Sequence, residues 1–415
     1  MVINMADVKP FRAVRAKEEL AGKIAALPYD VYNREEAKRI VEKEPFSFLQ
    51  IDRAETLFSD DVDMYSAQVY QKAHDTLWDM VKKGQFVQED KECYYLYELT
   101  MNGRSQTGIT ACASVDDYLN GTIRKHENTR EDKELDRIKH VDICNAQTGP
   151  IFLAYQSNDA INHIVEETKE MEPIYDFVSE DNIMHRAWKL DNPDDIKKIQ
   201  RQFQQMNHIY IADGHHRCAS AAKVALKRRK ENPDYTGTEE FNYFLSVLFP
   251  HDQLMIMDYN RVIKDMHGIS KEDLLLELKK YFVIEDKGYT AYKPLAKGNF
   301  GMYIAENWYS LTLKKEFEKE DPVEGLDVSV LQNLVLEPVF GIKDPKTDKN
   351  IDFIGGIRGL SELERRVRED CEIAFALYPT SIGELFAVAD ANRLMPPKST
   401  WFEPKLRSGL FIHSI

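Results

Sequence analysis

The chain has 415 residues, 43% of them hydrophobic and 30% charged, with no low-complexity tract. That length exceeds the size at which a single hydrophobic core stops growing, and the composition is that of a folded protein, so two or three lobes are expected and disorder is not. Lysine and arginine number 55 against 70 aspartates and glutamates, and the net charge of −15 repels phosphate backbones and anionic lipid, which argues against nucleic acid as a partner.

The five cysteines, Cys93, Cys112, Cys144, Cys218 and Cys371, are scattered and contain no C-x-x-C pair. Neither a disulfide framework nor a structural zinc site is expected, and a reducing cytoplasm suits them. Residues 1–17 lack a signal-peptide apolar core, and no stretch approaches the ~18 apolar residues that span a bilayer, so neither export nor membrane insertion is expected.

In chain order, the apolar run 24–27 reads as a strand entering the loop Pro28-Tyr29-Asp30-Val31. Asn33 then caps a helix over 34–43, with Glu36 at capping-box spacing. Helical periodicity returns over 62–83 and stops at Gly84, before an aromatic-rich strand over 93–99 and a hairpin turn at Asn102-Gly103. Residues 124–140 are dense in charge and read as an exposed or site-lining loop and helix. Residues 148–155 read as a turn entering a buried strand. A helix over 194–205, a strand over 208–212 and a helix over 218–230 follow an αβ-looking stretch, then a strand over 241–249 and a helix over 271–281. Short strands and helices alternate from there to Pro396-Pro397, with no internal repeat.

Chemistry concentrates at Asp213-Gly214-His215-His216-Arg217, which this reading places on a strand-to-helix turn. Free N–H groups and the positive end of the helix dipole attract phosphate there, Gly214 permits close approach, and Arg217 offers a planar fork of donors. The bland alternative is that Asp213 merely caps the helix and the histidines are solvated. An acid, two imidazoles and a guanidinium on one turn favour function. A metal held by Asp213, His215 and His216 is disfavoured, because adjacent histidines on a helix point about 100° apart. Cys218, among small helix-formers, reads as packing rather than as a nucleophile.

A second cluster, Arg124, Lys125, His126, Glu127, Asn128, Thr129 and Arg130, continued by Lys133, Asp136, Arg137 and Lys139, surrounds Glu127 with cations that would keep it ionised. Helix stabilisation explains the run poorly, since its i to i+4 acidic pairs are like-charged. The ending 394–405 carries Lys398 and Lys405, the hydroxyls of Ser399 and Thr400, and two aromatics between prolines. Its composition suits docking on the body of the protein or closure over an anion. Walker-type, dinucleotide, H-E-x-x-H and G-x-S-x-G motifs are absent from the sequence.

The blocks Leu27-Pro28-Tyr29-Asp30-Val31, His126-Glu127-Asn128-Thr129 with Asp136-Arg137, Asp213 to Arg217, and Met395-Pro396-Pro397-Lys398-Ser399-Thr400 together resemble the family catalogued as domain of unknown function 1015. The strand, Gly-x-His-Arg and helix arrangement is similar to the phosphate-binding element of the ParB and sulfiredoxin superfamily, and its Asp-Gly-His-His-Arg form to that of the free L-serine kinases. Sulfiredoxin chemistry is not implied, because His215 stands where the reactive cysteine would be. A ParB partition role fits poorly with the charge of −15.

The resemblance implies an α+β or mixed α/β fold with a ParB/sulfiredoxin-like core over 121–265, an N-terminal α/β lobe over 1–120 and a C-terminal α/β lobe over 266–415 carrying a docked tail. It implies phosphoryl transfer to L-serine, giving O-phospho-L-serine, from pyrophosphate, ATP or ADP, with Mg²⁺ as cofactor. Asp213 and Glu127 would be the catalytic carboxylates, Asp213 also a Mg²⁺ ligand. Gly214, His215, His216, Arg217, Arg124, His126, Arg137 and Lys398 would hold phosphate, and Asp30, Thr129, Ser399 and Thr400 the acceptor. The expected partners are these small molecules rather than nucleic acid or membrane, with homo-oligomerisation left open. A non-catalytic nucleotide-binding module and a phosphoserine phosphatase are the alternatives.

Overall fold

The computed structural model describes residues 5–129 and 131–415, with residues 132 and 133 described by their backbone alone. The described chain is mixed α/β and divides into two compact units, one of residues 5–254 with 404–415 and one of residues 255–403.

The first unit is built on a nine-stranded sheet. Its elements used below are β1 (Tyr94–Met101), β2 (Arg104–Ser114), β3 (Ile123–Arg124), α1 (Glu131–Cys144), β4 (Ile151–Tyr155), β5 (Ile209–Asp213), α2 (His215–Glu231) and β6 (Tyr243–Pro250). The order runs β3-β5-β4-β6-β2-β1 and continues through Met184–Leu190 and Tyr175–Val178, with Val8–Lys9 pairing off this path with β2 as the ninth strand. β3 lies parallel to β5 and β4 parallel to β6, while β5 and β4 are antiparallel. The β1–β2 hairpin turns on Asn102 (φ 52°) and Gly103 (φ 78°), both in the left-handed region that a two-residue primed turn requires. β4 and β6 are buried along their lengths and carry Ile151, Leu153, Phe244 and Leu248 into a core shared with Ile209, Ile211 and Cys218.

Near the start, the expected strand over 24–27 is instead a helical turn, Ala21–Ile24, followed by a single bridge between Ala26 and Ser408. A four-residue apolar run fits either state, and its partner comes from the far end of the chain. The helix Arg34–Lys43 forms with the full Asn33 and Glu36 capping box. After the short helix Leu49–Asp52, the helix expected over 62–83 forms as Ala67–Lys82, starting five residues later than the periodicity implied.

The second unit has its own six-stranded sheet, ordered Phe282–Gly288, Asn307–Leu313, Asn299–Ile304, Ile373–Leu377, Tyr259–Ile263 and Ile351–Gly355. Val262, Trp308, Leu363, Ala374 and Ala376 share its core, with the Trp308 indole donating to Glu364. The described chain thus divides into two units where the sequence reading expected three lobes. A boundary at 120/121 would part β2 from its sheet neighbour β6 and β1 from Met184–Leu190, and the last twelve residues belong to the first unit rather than to a C-terminal lobe.

Candidate functional site

β3 and β5 run side by side in parallel, with Ile209 opposite Ile123 and Tyr210 opposite Arg124. Their carboxyl ends therefore deliver the two charged motifs to the same edge of the sheet, β3 leading into His126-Glu127 and β5 into Asp213-Gly214, the end at which open α/β sheets place ligands. The pairing of β5 with β4 shifts register between Ile211 and Asp213, an irregularity that re-aims the last residue of the strand. Gly214 takes φ 97°, and α2 starts at His215 without a side-chain cap. Asp213 is thus not the helix cap that the bland alternative supposed.

Asp213 instead pairs with Lys405 of the C-terminal segment, Nζ to Oδ2 2.9 Å. Burial pushes its carboxyl upward, but Lys405, Arg217 and His215 outweigh that and hold it well below the usual carboxylate range. Asp213 is ionised at any physiological pH.

Arg217 folds back over the turn. A Cβ on Gly214 would lie 3.1 Å from its guanidinium, and Nη1 donates to the Pro150 carbonyl. From α1, the buried Arg137 lies 4.0 Å above the Tyr29 ring and pairs with Asp136 at 2.9 Å. These two guanidinium groups, from different helices, line one cavity of about 30 Å³ together with Pro28, Tyr29, Thr148 and Ser408. The cavity is large enough for a water or two, and its wall also holds the buried Asp52, which accepts from Thr148, and the apolar Val141, Ile151 and Leu245.

His126 and His215 form a separate pair. Both are buried, their rings meet edge-on with centroids 4.5 Å apart, and the His126 backbone N–H reaches the His215 Nε2 at 3.5 Å. Burial lowers the His126 ring to about 4 and His215 well below its ordinary value, so both are neutral imidazoles. Glu127 is half-buried beside them.

The remaining expected residues lie elsewhere. Arg124 donates to the His208 ring. Thr129 bonds Glu134, which also holds Lys223. Asp30 is exposed, next to the cavity-lining Tyr29, and His216 is half-buried on α2. Lys398, Ser399 and Thr400 belong to the second unit. There the Lys398 ammonium lies 5.6 Å from the Tyr259 ring centroid, its carbonyl accepts from Arg261, and Ser399 donates to the Pro396 carbonyl. Arg130 and the side chain of Lys133 lie outside the described residues. Cys218 is fully buried, and burial pushes its thiol far up, as suits a packing role.

Residue selection missed Lys405, Thr148 and Ser408. Lys405 stands in the Pro-bounded ending that drew notice, but nothing local distinguishes it from Lys398. The backbone path that returns residues 404–415 to the first unit does so.

A family model described as a protein of unknown function (DUF1015) matches residues 8–329. No curated protein matches the sequence. Among solved structures, a free serine kinase variant in complex with AMP is similar at 13% identity and a TM-score of 0.36, covering 75% of this chain and 88% of that one. C-terminally truncated SbnI from Staphylococcus aureus is similar at 12% identity and a TM-score of 0.37, covering 71% and 82%. A conserved hypothetical protein from Pyrococcus furiosus follows at 14% and 0.32, covering 72% and 93%. These likenesses are too distant to transfer the role of any residue.

Proposed function

The chain belongs to the DUF1015 family, and from that premise we propose that it is a small-molecule phosphotransferase whose acceptor is free L-serine. The observation that carries the reading is that Arg137 and Arg217 line one cavity beside the Asp213-Gly214 turn. Phosphoryl transfer needs positioning and neutralisation of oxygen charge rather than a covalent apparatus, and two forked cations supply that. Serine as the acceptor rests on the resemblance of the Asp213 to Arg217 motif.

The chemistry assigns Asp213 a particular part. A carboxylate held this far below its ordinary range is a poor proton acceptor, so it orients the attacking hydroxyl by accepting its hydrogen bond, and it does not deprotonate serine beforehand. Lys405 holds Asp213 in place. A magnesium ion fits in part: with Lys405 on one oxygen of Asp213, the ion would depend on phosphoryl oxygens for most of its ligands, and when bound it would neutralise their charge. A cytoplasmic setting belongs to the same reading and suits five buried free cysteines.

Phosphorus NMR of the purified chain with L-serine, Mg²⁺ and, in separate tubes, pyrophosphate, ADP or ATP tests the proposal. A phosphoserine resonance growing with one donor is the expected result and names that donor. Donors that bind without any phosphoserine forming would sink it in favour of a nucleotide-binding sensor. Asp213→Asn should bind donor within several-fold of the parent and turn over at least ~100-fold more slowly.

A further inference from the structure

Glu127 does not line the cavity of Arg137 and Arg217. Its carboxylate belongs to a different group: an oxygen of Glu127 and one ring nitrogen each from His126 and His215 all lie within 4.8 Å of one another. In a tetrahedral site with bonds of about 2.0–2.2 Å, ligand atoms stand about 3.4 Å apart, so modest side-chain rotation closes this triangle around one ion.

His126 supplies the second observation. It is 2% exposed, and Nδ1 has no hydrogen-bond partner among the described residues. The Ile211 carbonyl lies near the ring, and in the tautomer that carries its proton on Nε2 the buried Nδ1 holds a lone pair with no partner among the described residues. An imidazole that donates one N–H to a backbone carbonyl and turns its other nitrogen to an ion is the usual arrangement in metal sites. The His215 Nε2 is nearly as idle, since among the described residues its hydrogen bonding is the 3.5 Å approach of the His126 N–H.

We propose that His126, Glu127 and His215 bind a divalent transition-metal ion of the zinc type at the carboxyl ends of β3 and β5. Two imidazoles and one carboxylate are a borderline donor set that suits zinc, cobalt or ferrous iron better than magnesium, and three protein ligands leave a position for water or a phosphoryl oxygen. Asp213 is the neighbouring anion and Lys125 the neighbouring cation, the latter exposed and screened by water. His215 pairs here with a residue from the adjacent strand end, so the site avoids the geometric objection to two successive histidines on one helix. It goes beyond the phosphotransferase reading and stands or falls without it.

The test is titration of the chelator-treated full-length chain with Co²⁺, read by ligand-field absorption, and with Zn²⁺, read by calorimetry, in the absence of serine and phosphoryl donor. One saturable equivalent per chain is expected, with Zn²⁺ displacing Co²⁺. His126→Ala and Glu127→Gln should each weaken binding at least tenfold, while His216→Ala and the surface variant His74→Ala leave it within twofold. Circular dichroism reports folding. Should His126→Ala not fold, the half-buried Glu127→Gln alone decides. No binding to the parent, or binding undiminished in a folded Glu127→Gln, overturns the site.

Discussion

At the scale of single residues, the turn after β5 depends on a conformation that only glycine adopts without cost. Gly214 sits at φ 97°, and a Cβ there would meet the Arg217 guanidinium at 3.1 Å. Gly214→Ala should therefore cost about 1–2 kcal/mol of stability, visible as a lowered urea midpoint. It should also displace Arg217 from the cavity, so that phosphoryl transfer falls further than stability does; an unchanged rate would mean that Arg217 does not act there. The position was legible as a glycine between an acid and two histidines. The ion pair of Asp213 with Lys405 was not, because 192 residues separate the partners in sequence. A salt bridge leaves no mark on the local pattern of either residue.

At the scale of elements, caps and turns follow their chemistry. The Asn33–Glu36 box and the Asn102-Gly103 hairpin form where their residues imply, since each is closed by atoms within four residues of one another. The start of the helix Asp327–Leu331 carries a different device. The buried Asp327 accepts from the Gly298 N–H at 2.9 and 3.1 Å, and burial raises its carboxyl from 3.8 to about 7. The folded state thus retains a proton that the unfolded chain has released, and stability should fall as pH rises from about 4 through about 7, then level off. Asp327→Asn keeps an acceptor for Gly298 and removes this dependence. The variant should match the parent near pH 3 and exceed it by about 1–2 kcal/mol at pH 8, measured by denaturant unfolding at both pH values. A parent curve flat between those values would refute the assignment.

At the scale of the whole molecule, the first unit draws on both ends of the chain. The strand Phe411–Ser414 pairs with Val14–Arg15 and with Ala146–Gln147, and Lys405 reaches Asp213. A chain ended at Glu403 should lose or sharply lower the unfolding transition of the first unit in calorimetry while that of the second unit persists. Two unaltered transitions would show that the terminal strand is dispensable. By itself, the sequence determined the mixed α/β class, the strand-turn-helix at Asp213 to Arg217, the local caps and the packing role of Cys218, because periodicity, glycine and capping chemistry act within a few residues. Only the tertiary structure decided that Arg137 and Arg217 share a cavity, that His126 meets His215, and that Lys405 rather than Lys398 joins Asp213. Those pairings depend on which strands lie side by side and on where residues 404–415 return, and a parallel neighbour such as β3 beside β5 is chosen by burial of the whole sheet, which no short stretch of sequence encodes.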